Sequence, residues 1–277
     1  MDTVLLKTFL EVTHARNFGK ASETLCVAPS TVSARIRQLE EILGLSLFIR
    51  NHQQVSLTPA GEHMVRHARF ILNAWERAYE DIALSANLNK RLVVAGTPSL
   101  WDIFLQDWLN DVHIKMPELA LRAEDSTTLR VMEKLERGSI DIGFIYEQPK
   151  LANLVIEELK SIPLQLVSTQ PGLNADQATS SGYIRVEWGS VFNSLHERYF
   201  PQRPLAPVRV NSMRIALKLM LNCGGSAYLP TITTAERINN GELFIVEDAP
   251  RLEMKAYAAY SPHGEHHDLI KQLLTML

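Results

Sequence analysis

The sequence predicts an α/β protein in two parts: an N-terminal winged helix-turn-helix with a long linker helix, followed by a larger domain of strands and helices in two lobes. Three observations predict it. Residues 18–40, FGKASETLCVAPSTVSARIRQLE, read as two short helices joined by a tight corner. Beyond Pro59, apolar residues recur at alternating steps of four and three. From Arg91 onward, short apolar runs alternate with helical patterns, as in an α/β domain.

The front end comes first. Residues 3–15 form a helix that buries Leu5, Leu6, Phe9 and Val12, with Asp2 or Thr3 capping its start. The next helix has its apolar stripe at Phe18, Ala21 and Leu25. Pro29 suits the first position of the helix after it, where a missing N–H costs nothing. That helix turns Val32, Ile36, Leu39 and Leu43 to one face and Ser30, Ala34, Arg37 and Glu41 to the other, with Ser33 and Gln38 at the margins. A helix that only covers a surface usually carries long Lys and Glu side chains. Here Ser30, Ser33 and Ala34 let the backbone approach a major groove, while Arg37 and Gln38 reach bases or phosphates. Gly44 caps the helix, and residues 47–50 and 55–57 form a hairpin wing around residues 51–54. Arg50 is a phosphate or minor-groove contact, its plain alternative being a solvated strand end. The candidate DNA contacts are Lys20, Ser30, Thr31, Ser33, Ala34, Arg35, Arg37, Gln38 and Arg50.

Thr58 and Pro59 start a helix whose seam is Met64, Ala68, Ile71, Trp75, Ala78 and Ile82. Val65, Leu72, Tyr79 and Ala86 widen it, over about 28 residues and roughly 42 Å. Such a seam pairs with its copy in a second subunit, the alternative being packing on the chain's own C-terminal domain. Pairing sets two recognition helices against two half-sites and implies a double-stranded operator with dyad symmetry. The polar residues 85–89 are the hinge, so the domains run 1–58, 59–89 and 90–277.

In the remainder, strands fall at residues 92–95, 119–123 and 140–146 and helices at 99–113 and 129–137, the latter stopped by Gly138. Residues 164–168 cross into a second lobe with strands at 183–186, 208–210 and 226–229 and helices at 215–221 and 232–238. Residues 255–260 return, and a last helix starts near His267. The first lobe is about 90–163 with 247–277, and the second about 164–246. Ligands in such folds sit beyond the carboxyl ends of strands, where helix N-termini expose N–H groups. Thr97, Pro98 and Ser99, then Ser126, Thr127 and Thr128, then Asn211 and Ser212 are hydroxyl-rich helix starts of this kind, suited to a small anion or carboxylate effector. Their plain alternative is ordinary N-capping. Phe144, Glu187, Trp188 and Tyr228 are candidate walls, with Phe144 and Trp188 also fitting a core.

Cys26 and Cys223 read as small buried residues rather than redox sensors. His263, His266 and His267 with Glu265 and Asp268 suggest a metal, but no second cluster supports one, so no metal and no cofactor are expected. No nucleophile elbow, phosphate-binding glycine loop or paired-carboxylate motif appears, so an enzyme is not expected.

At 277 residues the chain has room for two or three cores. Lys7 and Glu11 interrupt the N-terminal apolar residues as no signal peptide does, and no apolar run approaches the roughly 20 residues of a membrane helix. The expected location is therefore the cytoplasm, with both cysteines reduced. A net charge of -3 and a pI near 6.3 argue against a nucleic-acid binder. A small module needs only a few placed cations, however, while a larger acidic domain sets the average.

The segments MDTVLLKTFLEV, ASETL, VSARIRQLE, LGLSLFIR and LTPAGE together resemble the DNA-binding domain of LysR-type transcriptional regulators, from Met1 to about Glu62. Weaker echoes continue in GSIDIGF from Gly138 and AYLP from Ala227. The opening segment, RIRQLE and VEWG look closest to a subgroup linked in enteric bacteria to repression of the flagellar master operon. Two departures stand out: Ala28 and Pro29 replace the family's common Ser-Gln, and Ala34 replaces a common Arg, so the family's operator rules do not transfer base by base. The resemblance implies an effector domain like a periplasmic solute-binding protein, control by a small molecule between its lobes, and assembly as two dimers that bend DNA. Two alternatives remain: a regulator without effector that acts by its concentration, or a cytoplasmic solute-binding protein whose helical front end only dimerises.

Overall fold

The computed structural model describes residues 2–50, 55–83, 90–148, 153–201 and 206–277. Contacts divide the chain into two units, Met1–Ala86 with Glu136–Ser139, and Asn87–Leu135 with Ile140–Leu277.

In the first unit, α1 (Thr3–Ala15) starts at Asp2, whose carboxylate accepts the Val4 N–H at 2.9 Å, and buries Leu5, Leu6, Phe9 and Val12. Asn17 caps α2 (Phe18–Thr24) by accepting the Lys20 N–H at 3.0 Å. The corner then passes through Cys26 at φ 53°, a left-handed backbone that few non-glycine residues adopt. Helix α3 (Pro29–Leu43) follows, with Pro29 in its first turn and no side-chain cap from Ala28. Val32, Ile36 and Leu39 are fully buried against Leu6, Phe9 and Ala21. Leu43, expected on this face, is instead exposed with its neighbours Ile42 and Leu45, because the last turn of α3 overruns so small a core.

The wing is the antiparallel pair β1 (Phe48–Arg50) and β2 (Val55–Leu57), with Phe48 opposite Leu57. Its root is tied on both sides. The Glu40 carboxylate of α3 accepts the N–H groups of Leu47 (2.7 Å) and Phe48 (3.3 Å). From the other side Thr58 donates its N–H to the Leu47 carbonyl at 3.0 Å, and its hydroxyl accepts the Gly61 N–H at 3.0 Å to cap α4 (Pro59–Ala83). A Cβ at Gly61 would run into the Leu47 carbonyl oxygen.

Helix α4 divides along its length. Ala68 and Leu72 are buried in the same core as α1 and α3, and Met64, Val65 and Ile71 pack on it. This corrects the expectation of a seam open throughout: Met64, Ala68 and Ile71 face their own domain, because a core this small needs the start of α4 to close it. Beyond them Trp75 (60%), Tyr79 (73%) and Ile82 (85%) are exposed, as is Ala78. The helix has 25 described residues, about 38 Å at the usual rise. The wing tip at 51–54, the end of the seam at Ala86 and the hinge at 85–89 lie outside the described residues.

The second unit opens with β3 (Lys90–Gly96), then a continuous helix made of α5 (Pro98–Leu100), a π-helical stretch Trp101–Leu105 and α6 (Gln106–Lys115). After it come β4 (Leu119–Asp125), α7 (Thr128–Glu136), β5 (Ile142–Ile145) and β6 (Val155–Ser168). Next are α8 (Ala175–Ser180), β7 (Ile184–Val186), α9 (Ser190–Tyr199), β8 (Val208–Val210), α10 (Met213–Cys223) and β9 (Ser226–Pro230). The chain closes with α11 (Thr231–Asn239), β10 (Phe244–Ile245), β11 (Leu252–Tyr260) and α12 (His267–Leu274). Strands β4, β3 and β5 are parallel, and β5 joins β11, which is antiparallel to it. Strand β6 pairs β11 from Val155 to Leu164 and β9 from Leu164 to Ser168, so one strand serves two groups of elements. β7 and β8 form a separate parallel pair.

Helices α8 and α9 and the front of β6 were not expected. α8 is a polar stretch held by a capping box between Asn174 and Gln177, with little apolar period to betray it. The front of β6 carries charges satisfied across the ladder, as where Lys255 donates to Glu158 at 2.9 Å. Replacing Gly61 by Ala is expected to lower stability by about 1–3 kcal/mol, as overpacking does. An unchanged thermal midpoint for that variant would contradict the packing of α4 on the wing root.

Candidate functional site

The outward face of α3 is the first candidate. Ser30, Ala34, Arg37 and Gln38 are exposed, and Thr31 and Ser33 are half-buried at its edge. Lys20 is exposed on α2. Arg35 is half-buried and turns back towards α1, with Nη1 3.5 Å from the Thr8 hydroxyl. Arg50 ends β1, and its side chain lies outside what the structure describes. The surface is thus small at the N-terminal end of α3 and basic further along, on a helix whose first N–H groups meet no side-chain cap. It is shaped for a polyanion at close range.

The second candidate lies within the second unit, where two helix starts meet. Thr97 and Ser99 open the α5–α6 helix, and Ser212 precedes α10. The Ser99 hydroxyl accepts the Met213 N–H at 3.3 Å, which brings the two starts together. The Ser212 hydroxyl is buried without a hydrogen-bond partner. The buried hydroxyls of Thr97 and of Tyr146, just past β5, make no well-formed hydrogen bond, although the phenol lies within reach of the Ser99 and Thr97 hydroxyls. Burial holds the Tyr146 phenol well above its usual pKa, only partly offset by those hydroxyls, so it is a neutral donor. Asp102, one turn along from Ser99, pairs through Oδ1 with Arg214 Nε at 3.4 Å, while its Oδ2 is buried without a partner. Burial raises its pKa, Arg214 opposes that, and Asp125 adds to it.

Several expected members stand apart from this cluster. Thr127 caps α7 by accepting the Arg130 N–H at 3.4 Å, the plain alternative for the run Ser126, Thr127 and Thr128. Phe144 is fully buried edge-on to Trp108, a core residue rather than a wall. Trp188 stands behind the site, edge-on to Tyr146 at 5.6 Å, and its indole N–H donates to the Tyr228 carbonyl at 3.1 Å. Glu187 is held by Arg209 at 2.7 Å, and Asn211 is exposed beside Ser212. Pro98 is half-buried at the first position of α5. Tyr146, Asp102 and Arg214 were missed; the signal for Tyr146 was its place at the carboxyl end of a central strand.

Both cysteines are exposed, which corrects their assignment as buried residues. Cys26 occupies the left-handed corner before α3, and Cys223 the last turn of α10, next to Gly224 at φ 78°. Among the described residues no three His, Cys, Asp or Glu side chains gather as metal ligands, and no helix is long and apolar enough to cross a membrane.

Residues 4–62 match the model of the bacterial regulatory helix-turn-helix proteins of the lysR family, and residues 85–277 match the LysR substrate binding domain. The HTH-type transcriptional regulator HdfR of Yersinia enterocolitica is 33% identical over 283 residues, covering 99% of this chain and 95% of that protein. A full-length OxyR variant from Pseudomonas aeruginosa superposes with a TM-score of 0.63 at 19% identity, covering 100% of this chain and 94% of the other. Vibrio fischeri DarR, a LysR-type regulator solved in complex with DNA, gives 0.59 at 22% identity, with coverage of 100% and 99%.

Removing the Tyr146 hydroxyl should cost the protein little stability. Tyr146→Phe is expected to stay within about 1 kcal/mol of the parent in urea denaturation, since a buried hydroxyl without a well-formed hydrogen bond contributes little. A clear loss of stability would show that the hydroxyl is bonded in the folded chain.

Proposed function

The chain belongs to the LysR family of bacterial transcriptional regulators, and from that premise we propose that it reads a dyad-symmetric operator with the outward face of α3 while a small molecule in the second unit's polar cleft modulates binding. The observation that carries this reading is the burial of Val32, Ile36 and Leu39, which leaves Ser30, Ala34, Arg37 and Gln38 outermost on a helix short of a cap. Ser30 and Ala34 let the helix seat deeply. Arg37 and Gln38 supply the donors for base edges or phosphates. Lys20, and Arg50 at the end of β1, are assigned phosphate contacts. The protein is a regulator rather than an enzyme, and its work on DNA belongs in the cytoplasm.

We assign pairing to the exposed stretch of α4, where Trp75, Ala78 and Ile82 keep coiled-coil spacing. A dimer built there presents two recognition helices, and two such dimers make the assembly that can bend DNA. We assign the effector site to the cluster of Thr97, Ser99, Tyr146 and Ser212, because buried hydroxyls at two helix starts suit a small carboxylate. Differential affinity of that ligand for two conformations is what couples cleft to operator.

Two measurements test this. Arg37→Ala is expected to lose operator affinity by about tenfold or more in fluorescence anisotropy, as one good base or phosphate contact is worth. The probe is a duplex selected from a random pool by the unmodified protein, and sedimentation should show assembly unchanged. Undiminished binding would remove α3 from the interface. Ile82→Glu is expected to shift sedimentation towards monomer, because a charge in a seam position opposes pairing. An unaltered profile would put the dimer contact elsewhere.

A further inference from the structure

We infer that the polar cleft takes an amino acid, with its carboxylate at the start of α10 and its ammonium group on Asp102. This rests on the proposal that the cleft is the effector site and adds the chemical class of the occupant.

The two halves of the site have opposite needs. Around the first turn of α10 the Met213 N–H shares only the Ser99 hydroxyl at 3.3 Å, the buried Ser212 hydroxyl has no partner, and the buried Tyr146 phenol and Thr97 hydroxyl lie within reach of one another without a well-formed hydrogen bond. The phenol remains protonated through burial, and a helix start favours negative charge, so this half offers its N–H and O–H groups to an acceptor, best an anion. The other half is acidic. Asp102 Oδ2 is buried without a partner, and an ionised carboxylate can only accept. Arg214 reaches Oδ1 alone, with a side chain that is 71% exposed, and Asp125 adds further negative charge. A donor bearing positive charge therefore completes it.

The separation of the halves sets the size of the ligand. Ser99 and Asp102 lie three residues apart on one continuous helix, Asp102 in its π-helical stretch, so the two halves are close neighbours. Carboxylate and ammonium on one carbon suit two such adjacent halves. A plain carboxylate leaves Asp102 unanswered and adds repulsion; a plain amine leaves the hydroxyls unanswered.

Thermal shift and calorimetry on the full chain, with the proteinogenic L-amino acids, their deaminated acids and their decarboxylated amines, test the inference. The expected result is that at least one amino acid raises the melting midpoint at saturation while its matched acid and amine do not. Asp102→Asn should then weaken that amino acid by about tenfold or more, as loss of a buried charge partner does. If a deaminated acid binds as tightly as the amino acid, or Asp102→Asn leaves affinity unchanged, the inference is overturned and the cleft remains a carboxylate site. If none of the three sets binds, both the inference and the effector site fall. The comparison of acid with amino acid uses the unmodified chain and so does not depend on how the variant folds.

Discussion

The rotation of α3 about its own axis governs the front of this protein. Val32, Ile36 and Leu39 are each wholly removed from solvent, and burying three such side chains is worth roughly 1.5–3 kcal/mol apiece. Turning the helix by one residue would expose that surface, so Ser30, Ala34 and Arg37 have no other direction in which to point. The Glu40 carboxylate then fixes the wing to the same helix through the Leu47 and Phe48 N–H groups. Thr58 and Gly61 fix α4 to the wing through Leu47. Recognition helix, wing and linker helix thus share one root, so a shift in one is passed to the others.

The second unit is organised by an opposite circumstance. A buried hydroxyl without a well-formed hydrogen bond is costly, and those of Thr97, Tyr146 and Ser212 gather at the meeting of two helix starts, next to a carboxylate with one open oxygen. A fold selected for stability alone would replace them by apolar groups. In the function proposed above, a bound molecule would supply the missing partners and favour the conformation that presents them best.

Much of this was legible in the sequence where one simple period ruled. The faces of α1 and α3, the wing strands, the Gly44 stop and the parallel strands β3, β4 and β5 follow from side-chain spacing and turn residues. What stayed hidden depended on tertiary neighbours. One apolar stripe on α4 serves two purposes, Ala68 inside its own domain and Ile82 outside it, and the spacing is the same in both. Thr97, Ser99 and Ser212 stand out as candidates in the sequence because helix starts announce themselves. Tyr146 and Asp102 do not, since a strand-end Tyr and an Asp inside a π-helical stretch acquire meaning only from the hydroxyls and the Arg214 beside them. Cys26 looked like core because its residue type usually is, and the left-handed corner could not be seen in composition.

Amide hydrogen exchange on the full chain, with and without a duplex selected by the protein, measures the central claim most directly. Protection on binding is expected across the first turns of α3, from Ser30 to Ala34, and at the root of the wing, with little change on the buried side in α1. Firm DNA binding that leaves α3 exchanging as it does in the free protein would contradict the proposal that this helix enters the groove.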